Sequence, residues 1–184
     1  MRKLLVVLLV TLIAVPTFQA CKKGPNDPLI SFKSRNARIT AKWKLTKIEG
    51  TETKVTAGVS NATTTTFDGT TKTVTSSLFG TTTTSTGVYE MTIEKNGTMT
   101  WSETYISGTP ATTDVQTGSG PWIWLNTDKN KTDVDLTGGH HFFSSGFYVI
   151  DRLASKELVL TTEQNSNNNG DTDVANYKFT FTAE

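Results

Sequence analysis

The residue best suited to covalent chemistry in this chain is Cys21, the only cysteine among 184 residues. It follows a stretch with three parts: Arg2 and Lys3 give a positive start, Leu4 to Val15 form an apolar run, and Ala20 is small. This is the layout of a secretory signal peptide. The run is too short for a transmembrane helix, which needs roughly 20 apolar residues. Because a lone thiol in an oxidising compartment has no internal disulfide partner, its placement indicates another use.

The sequence FQAC around this cysteine resembles a lipobox, the signal at which bacterial lipoproteins are cleaved and acylated on the cysteine. The alternative is an ordinary secreted protein with one stray cysteine. The resemblance implies cleavage after Ala20 and attachment of acyl chains to Cys21, and two or more such chains hold a protein stably at a membrane. We therefore expect a signal peptide over residues 1–20 and a lipidated tether over 21–37, followed by a single domain over 38–184.

The net charge and the residues after Cys21 indicate which partners and which location to expect. Cleavage removes two basic side chains from the 18 basic and 17 acidic ones, which leaves a net charge near −1 and argues against a nucleic-acid partner. The start CKKGPNDP, followed by SFKSRNARITAKWKL, is similar to lipocalin-like lipoproteins of Bacteroidetes-type bacteria. That resemblance implies an outer-membrane lipoprotein, and Lys22 and Lys23 leave open whether it lies on the periplasmic face or at the cell surface.

The sequence gives little evidence for a metal site or a catalytic site. His140 and His141 are neighbours, so on a strand they point to opposite faces and would share a metal only across a kink. Asp133 and Asp135 share a face, but calcium needs six or more oxygen ligands and no loop of that spacing is present. The serines lack the Gly-x-Ser-x-Gly context of an activated nucleophile. We expect no metal, no cofactor and no enzymatic activity.

The segment VYEMTIEKNGTMTWSETY predicts a hairpin. A two-residue turn would set apolar against polar residues throughout, whereas a three-residue loop that ends with a left-handed Gly97 brings the apolar faces together. The longer loop pairs Ile93 with Met99 and Met91 with Trp101. Gly97 is therefore predicted to have a structural role.

The same register supplies candidates for ligand binding. It places Glu103 on the inner face opposite Tyr89, next to Trp101; a carboxylate there needs a partner or a shifted pKa, unless it lies in water at the barrel mouth. Trp122 and Trp124 are two residues apart and share a strand face. They would form an aromatic platform for a sugar or an apolar ligand, or else belong to a core strand. These five side chains are the predicted ligand-binding residues.

The elements that must position these residues are strands. Threonine occurs 36 times, about a fifth of the chain, and β-branched residues suit a pleated strand. In ITAKWKLTKI, residues 39–48, apolar and polar side chains alternate around Trp43. The sequence AKW resembles the Gly-x-Trp start of lipocalin-like domains, which implies that Trp43 plugs the closed end of a barrel. Turn signals recur at Asp68-Gly69, Asn96-Gly97, Ser107-Gly108 and Gly138-Gly139.

We therefore expect an all-β fold, an antiparallel lipocalin-like β-barrel of about eight to ten strands, closed by pairing between the C-terminal strand and the Trp43 strand. The threonine-rich residues 60–86 are expected to form exposed polar strands or a loop, or a hydroxyl-rich contact surface. Many large side chains point inward, so the cavity should be narrow or partial. The expected function is non-catalytic binding of a small apolar or amphiphilic ligand. The alternative is a surface module with a filled barrel that binds glycan or protein.

Overall fold

The fold is given by a computed structural model that describes residues 25–28, 31, 33–126, 131–168 and 171–184. Within these residues one short helix precedes eleven strands. Cys21 and the signal predicted over residues 1–20 lie outside the described residues. The elements are α1 (Arg35–Ile39), β1 (Lys42–Thr56), β2 (Val59–Phe67), β3 (Thr71–Ser76), β4 (Thr81–Ile93), β5 (Thr98–Ser107), β6 (Thr112–Pro121), β7 (Ile123–Trp124), β8 (Asp133–Leu136), β9 (Gly146–Leu153), β10 (Glu157–Asn168) and β11 (Asp171–Ala183).

The strands form one antiparallel sheet that closes into a barrel. Their order is β6-β5-β4-β3-β2-β1-β11-β10-β9-β8-β7. Since only Trp122 separates β6 from β7, the two outermost strands of this order belong to one continuous stretch of chain. The C-terminal strand β11 pairs with β1 along its length, and Trp43 lies opposite Ala183. The predicted fold class, an all-β antiparallel barrel, is confirmed.

Two strands pair with the other edge of β1, one after the other along its length. Lys42–Lys44 pairs with β4, whereas Ile48–Thr56 pairs with β2. The hairpin β2–β3 is therefore inserted between β1 and β4 over one half of the barrel only. We call the half that contains this hairpin the mouth, and the half that lies beside α1 the closed end.

The β4–β5 hairpin has the predicted geometry. Ile93 lies opposite Met99 and Met91 lies opposite Trp101. Gly97 has a φ of 86°, which is the left-handed conformation that glycine adopts without strain. The apolar period thus determined the loop length correctly.

The β9–β10 hairpin carries an irregularity next to Asp151. Leu158 lies opposite Leu153 and Val159 opposite Arg152, but Leu160 lies opposite Ile150. The residue skipped in this register is Asp151, which forms a bulge. Such a bulge keeps the apolar residues on both sides of it facing the core.

The start of the first strand was predicted wrongly. A strand over residues 39–48 was expected, but β1 begins at Lys42 and Ile39 ends the helix α1. Two contacts stabilise this helix: the Ser34 hydroxyl accepts a hydrogen bond from the N–H of Ala37 at its start, and Trp43 Nε1 donates to Ile39 O at its end, at 2.8 Å. Trp43 is fully buried, at the closed end of the barrel.

The threonine-rich residues 60–86 form regular strands. The β2–β3 ladder runs without a shift from the pair Thr63–Ser76 to the pair Phe67–Lys72. One face of this region is exposed, as predicted for polar strands, while Thr65 is buried. The β3–β4 turn at the mouth carries Phe79, whose exposed fraction is 72%.

Candidate functional site: the mouth of the barrel

The interior of the barrel below the mouth is filled by a loop that the sequence analysis did not predict. Residues 137–145, which we call the plug loop, connect β8 with β9 and insert Phe142 and Phe143 into the barrel. Phe143 is 1% exposed and stacks on Tyr148, with ring centroids 4.6 Å apart. It also meets Phe179 and Phe181 edge to face, at 5.1 and 5.4 Å. Aromatic pairs in these arrangements stabilise a core beyond simple area burial.

A buried carboxylate holds the plug loop in place. Glu103 is 1% exposed, and its Oε1 atom accepts a hydrogen bond from the backbone N–H of His140 at 3.0 Å. The N–H of His141 lies 3.3 Å from Oε2. A Cβ atom on Gly139 would fall 2.5 Å from Oε2, so only glycine allows this close approach. The interior position predicted for Glu103 opposite Tyr89 is confirmed, and its partner is the backbone of the plug loop.

Side-chain contacts add a second attachment for the same loop. His141 Nε2 lies 2.9 Å from Asp114 Oδ2 on β6, and the hydrogen bond between them lowers the pKa of Asp114. The His141 ring also stacks on Tyr105, with centroids 4.0 Å apart. From strand β3, Lys72 Nζ donates a hydrogen bond to His141 O. The plug loop is thus bound to β3, β5 and β6 at once.

Glu103→Gln tests the backbone contacts. Glutamine keeps one acceptor oxygen but loses the charge, so we expect the free energy of unfolding to fall by about 1 kcal/mol. Amide hydrogen exchange at His140 and His141 should become faster, while urea unfolding stays cooperative. The matched control is Glu163→Gln, because Glu163 is an exposed residue of β10. Unchanged exchange at both histidines would show that Glu103 does not hold the loop.

Above the plug loop, a cavity of about 390 Å³ remains at the mouth. This is the partial cavity that the large inward side chains predicted. The plug loop and strands β9 and β11 supply an aromatic floor, and strands β1, β2, β3 and β10 supply mostly polar walls. Its lining includes Phe142, Phe143, Tyr148, Phe179, Tyr177, Lys72, Thr63, Thr65, Glu52 and Gln164.

Lys72 is the cation of this cavity. Its ammonium lies 5.7 Å from the centre of the Phe142 ring. Burial lowers the pKa of Lys72, and the charge of Glu103 opposes that change in part. Among the described residues no carboxylate lies within ion-pair distance of Lys72, whereas Glu52, which also lines the cavity, pairs with Lys54 at 2.6 Å. An ammonium group is therefore available to an anionic group in the cavity.

Three of the predicted ligand-binding residues lie beneath this cavity and do not line it. Tyr89 is fully buried, and burial raises the pKa of its phenol. Trp101 is partly buried and stacks parallel to Tyr89, with centroids 6.4 Å apart. It packs across Gly118, where a Cβ atom would lie 2.5 Å from the indole. Tyr89, Trp101 and Glu103 thus form the layer that supports the plug loop.

Trp122 and Trp124 lie at the closed end, away from the mouth. Their rings meet at 76° and do not form a flat platform. Trp122 is 6% exposed and donates its indole N–H to Glu94 O at 2.7 Å, while Trp124 donates to Asn36 Oδ1 at 2.8 Å. Both indoles line a shallow groove of about 610 Å³ beside α1. Trp122 is therefore mainly a core residue, and Trp124 presents the larger surface to the groove.

Within the described residues, no three histidine, cysteine, aspartate or glutamate side chains converge as metal ligands. His140 is exposed and His141 is held by Asp114. Asp133 and Asp135 lie on β8 and are partly buried. No helix in the described ranges has the length and hydropathy to cross a bilayer.

Sequence reasoning missed Lys72 and the plug loop. Lys72 belongs to a threonine-rich strand with few apolar residues, so no pattern distinguished it. The signal for the plug loop was the run GGHHFF, in which two glycines precede two adjacent phenylalanines. Adjacent residues point to opposite faces of a strand, so two buried neighbours indicate irregular backbone. Comparisons with protein-family models, curated proteins and solved structures find no match to this chain.

Proposed function

We propose that the chain is a membrane-anchored lipoprotein of the cell envelope whose barrel binds, without catalysis, a small amphiphilic molecule at its mouth. Acylation of Cys21 at the lipobox-like FQAC supplies the anchor, and the proposed place is the outer membrane, on its periplasmic face or at the cell surface. The observation that carries the binding role is the mouth cavity, which combines an aromatic floor with a lysine that lacks an acidic partner.

The lining defines the chemistry of the ligand. Phe143, Tyr148 and Phe179 present apolar surface to a hydrocarbon tail, and each methylene buried there contributes about 0.8 kcal/mol. Lys72 presents a positive charge to a carboxylate, sulfate or phosphate group. A volume of about 390 Å³ lies near the lower end of the range for ligand pockets, which is roughly 300–1,000 Å³. The site therefore suits a short tail with an anionic head, bound weakly.

The proposed role is non-catalytic because Glu103 and His141, two ionisable residues next to the cavity, have structural partners. Within the described residues, Glu103 accepts hydrogen bonds from backbone N–H groups of the plug loop, and His141 pairs with Asp114. Neither arrangement activates a serine, threonine or cysteine as a nucleophile.

Lys72→Met tests this proposal by titration calorimetry with decanoate, using the chain with Cys21→Ala so that no acyl chain of its own competes. We expect saturable binding that weakens about tenfold in Lys72→Met, since a charge-assisted hydrogen bond contributes roughly 1.5–3 kcal/mol. Decyltrimethylammonium, with the same tail and the opposite charge, should bind no better to the original chain than to Lys72→Met. Binding should also fall as the pH rises through the pKa of Lys72, because the ammonium then loses its charge. Since burial lowers this pKa, the fall should begin below the ordinary lysine value of 10.5.

The matched control is Lys47→Met, because Lys47 is exposed, is paired with Glu49, and neither residue lines the cavity. Its affinity for decanoate should equal that of the original chain. Equal affinities for decanoate and decyltrimethylammonium would contradict the role of Lys72, and absence of binding to both would contradict the ligand site.

The barrel is filled below the mouth by Phe142 and Phe143, which leaves less room for an internal ligand. This favours a second candidate function, a surface module that binds glycan or protein. The groove with Trp124 is the place where such a partner would bind, but the 76° angle between the indoles gives a sugar ring no flat stacking surface. Oligosaccharide binding that disappears in Trp124→Ala and persists in Lys72→Met would support this second candidate.

A further inference from the structure

The N-terminal segment is attached to the closed end of the barrel. The Asp27 carboxylate is fully buried and lies 3.2 Å from both Arg35 and Arg38. Its Oδ1 atom also accepts the backbone N–H of Leu153, at 2.7 Å. Next to it, Asn26 N donates to the backbone oxygen of Asp151 at 3.3 Å. The chain is thus fixed at residues 26–27, beside the end of β9.

This attachment limits how far the barrel extends from an acylated Cys21. Asp27 lies six positions after Cys21, and an extended chain spans at most about 3.5 Å per residue. The reach is therefore roughly 20 Å. An anchor at Cys21 keeps the closed end near the bilayer and turns the mouth away from it, because the cavity lies at the other end of β1, β10 and β11.

The helix α1 places the tryptophan groove next to the same attachment point. Arg35 and Arg38 contact Asp27, while Asn36 on the same helix accepts the indole N–H of Trp124. A helix of five residues is only about 7.5 Å long. The groove and the attached N-terminal segment therefore lie side by side at the closed end.

The surface around this groove has the composition of a membrane-contacting face. Ile123 is 54% exposed and Leu125 is 44% exposed, beside the partly exposed Trp124. Lys95 lines the groove, and Lys131 lies 5.5 Å from the centre of the Trp124 ring. Tryptophan and aliphatic side chains enter the interfacial region of a bilayer, and lysines near it are attracted to anionic lipids.

We propose that the closed end docks on an anionic lipid bilayer, with Ile123, Trp124 and Leu125 entering the interface and Lys95 and Lys131 facing the lipid headgroups. This inference rests on the lipid anchor of the proposed function and is independent of the ligand at the mouth. Asp135 lies opposite Ile123 across β7 and β8, so one carboxylate borders the apolar side chains, and Lys95 and Lys131 supply the positive charge of this surface. In this orientation the mouth opens toward the solvent.

The test uses single reporter cysteines in the full, acylated chain, in which Cys21 has no free thiol. Ile123→Cys places an environment-sensitive dye at the docking face, and Phe79→Cys places it on an exposed side chain at the mouth. On vesicles of phosphatidylethanolamine and phosphatidylglycerol, acrylamide should quench the dye at position 79 much more strongly than the dye at position 123. Equal quenching at the two positions would overturn the docking.

Charge reversal adds a second measurement on the same vesicles. Lys95→Glu and Lys131→Glu should each lower the ratio of docked to undocked protein at least fivefold, since a lysine near an anionic surface contributes about 1 kcal/mol and the new carboxylate is repelled by the headgroups. On vesicles of phosphatidylcholine alone, the two variants should match the original chain. No change on anionic vesicles would contradict the assigned headgroup contacts.

Sedimentation with the vesicles separates this inference from the proposal on which it rests. The acylated chain should sediment and Cys21→Ala should stay in solution. If the chain that keeps Cys21 also stays in solution, the lipid anchor is wrong and the docking fails with it. If the chain sediments with position 123 fully accessible, the anchor stands and the docking alone is wrong.

Discussion

Phe143→Ala is expected to lower the free energy of unfolding by about 3–5 kcal/mol, the range for removing a large buried aromatic side chain. Phe143 contacts Tyr148, Phe179 and Phe181 at the centre of the lumen, and the barrel walls that surround it are held by strand pairing. The walls cannot collapse fully into the space left by the ring, so a cavity should remain. Urea unfolding followed by tryptophan fluorescence measures the change.

The matched control is Phe147→Ala, because Phe147 lies four residues further on and is 68% exposed. Its effect should stay within about 0.5 kcal/mol, as for other surface substitutions. The enlarged lumen of Phe143→Ala should also accept tetradecanoate better than the original chain does. Equal losses of stability in the two variants would mean that the plug loop does not fill the barrel.

Asp27→Ala is expected to destabilise the protein by about 3–5 kcal/mol, because it leaves Arg35 and Arg38 buried without a counter-charge. Burial already lowers the pKa of Arg35, and Asp27 is the charge that opposes this effect. Undocking of the N-terminal segment relieves part of the cost and exposes the chain after Lys33 to trypsin. Unfolding in urea and the rate of cleavage at Lys33 measure the two consequences.

Asp173→Ala provides the comparison for a surface carboxylate. Asp173 is 38% exposed and lies 3.6 Å from Lys54, and exposed pairs of this kind contribute at most about 1 kcal/mol. If Asp27→Ala loses no more stability than Asp173→Ala and cleavage at Lys33 is unchanged, the buried ion pairs do not fix the N-terminal segment.

Local periodicity was sufficient to predict the parts of the fold that depend on neighbouring strands. The length of the loop before Gly97 follows from keeping apolar residues on one face. The interior position of Glu103 followed from the same register. Its partner did not, because the amides of His140 and His141 come from a loop that is distant in sequence and carries no period of its own.

Residues with non-local partners were the ones that sequence reasoning misplaced or missed. Asp27 reads as part of a polar tether, since nothing near it in sequence shows that two arginines of α1 surround it. Lys72 alternates with threonines on β3, and only the closure of the barrel places it above Phe142. Trp122 and Trp124 share a strand face as expected, but the indole N–H groups are used to hold the closed end together.

The most direct test of the central claim, that the mouth cavity holds an anionic amphiphile, is a titration of the ¹⁵N-labelled Cys21→Ala chain with decanoate, followed by amide chemical shifts. We expect saturable shifts at Thr63, Lys72, Gln164 and Tyr177, which line the cavity. The amide of Trp124, in the groove at the closed end, should not move. Shifts confined to that groove, or no saturable shifts anywhere in the assigned spectrum, would contradict the claim.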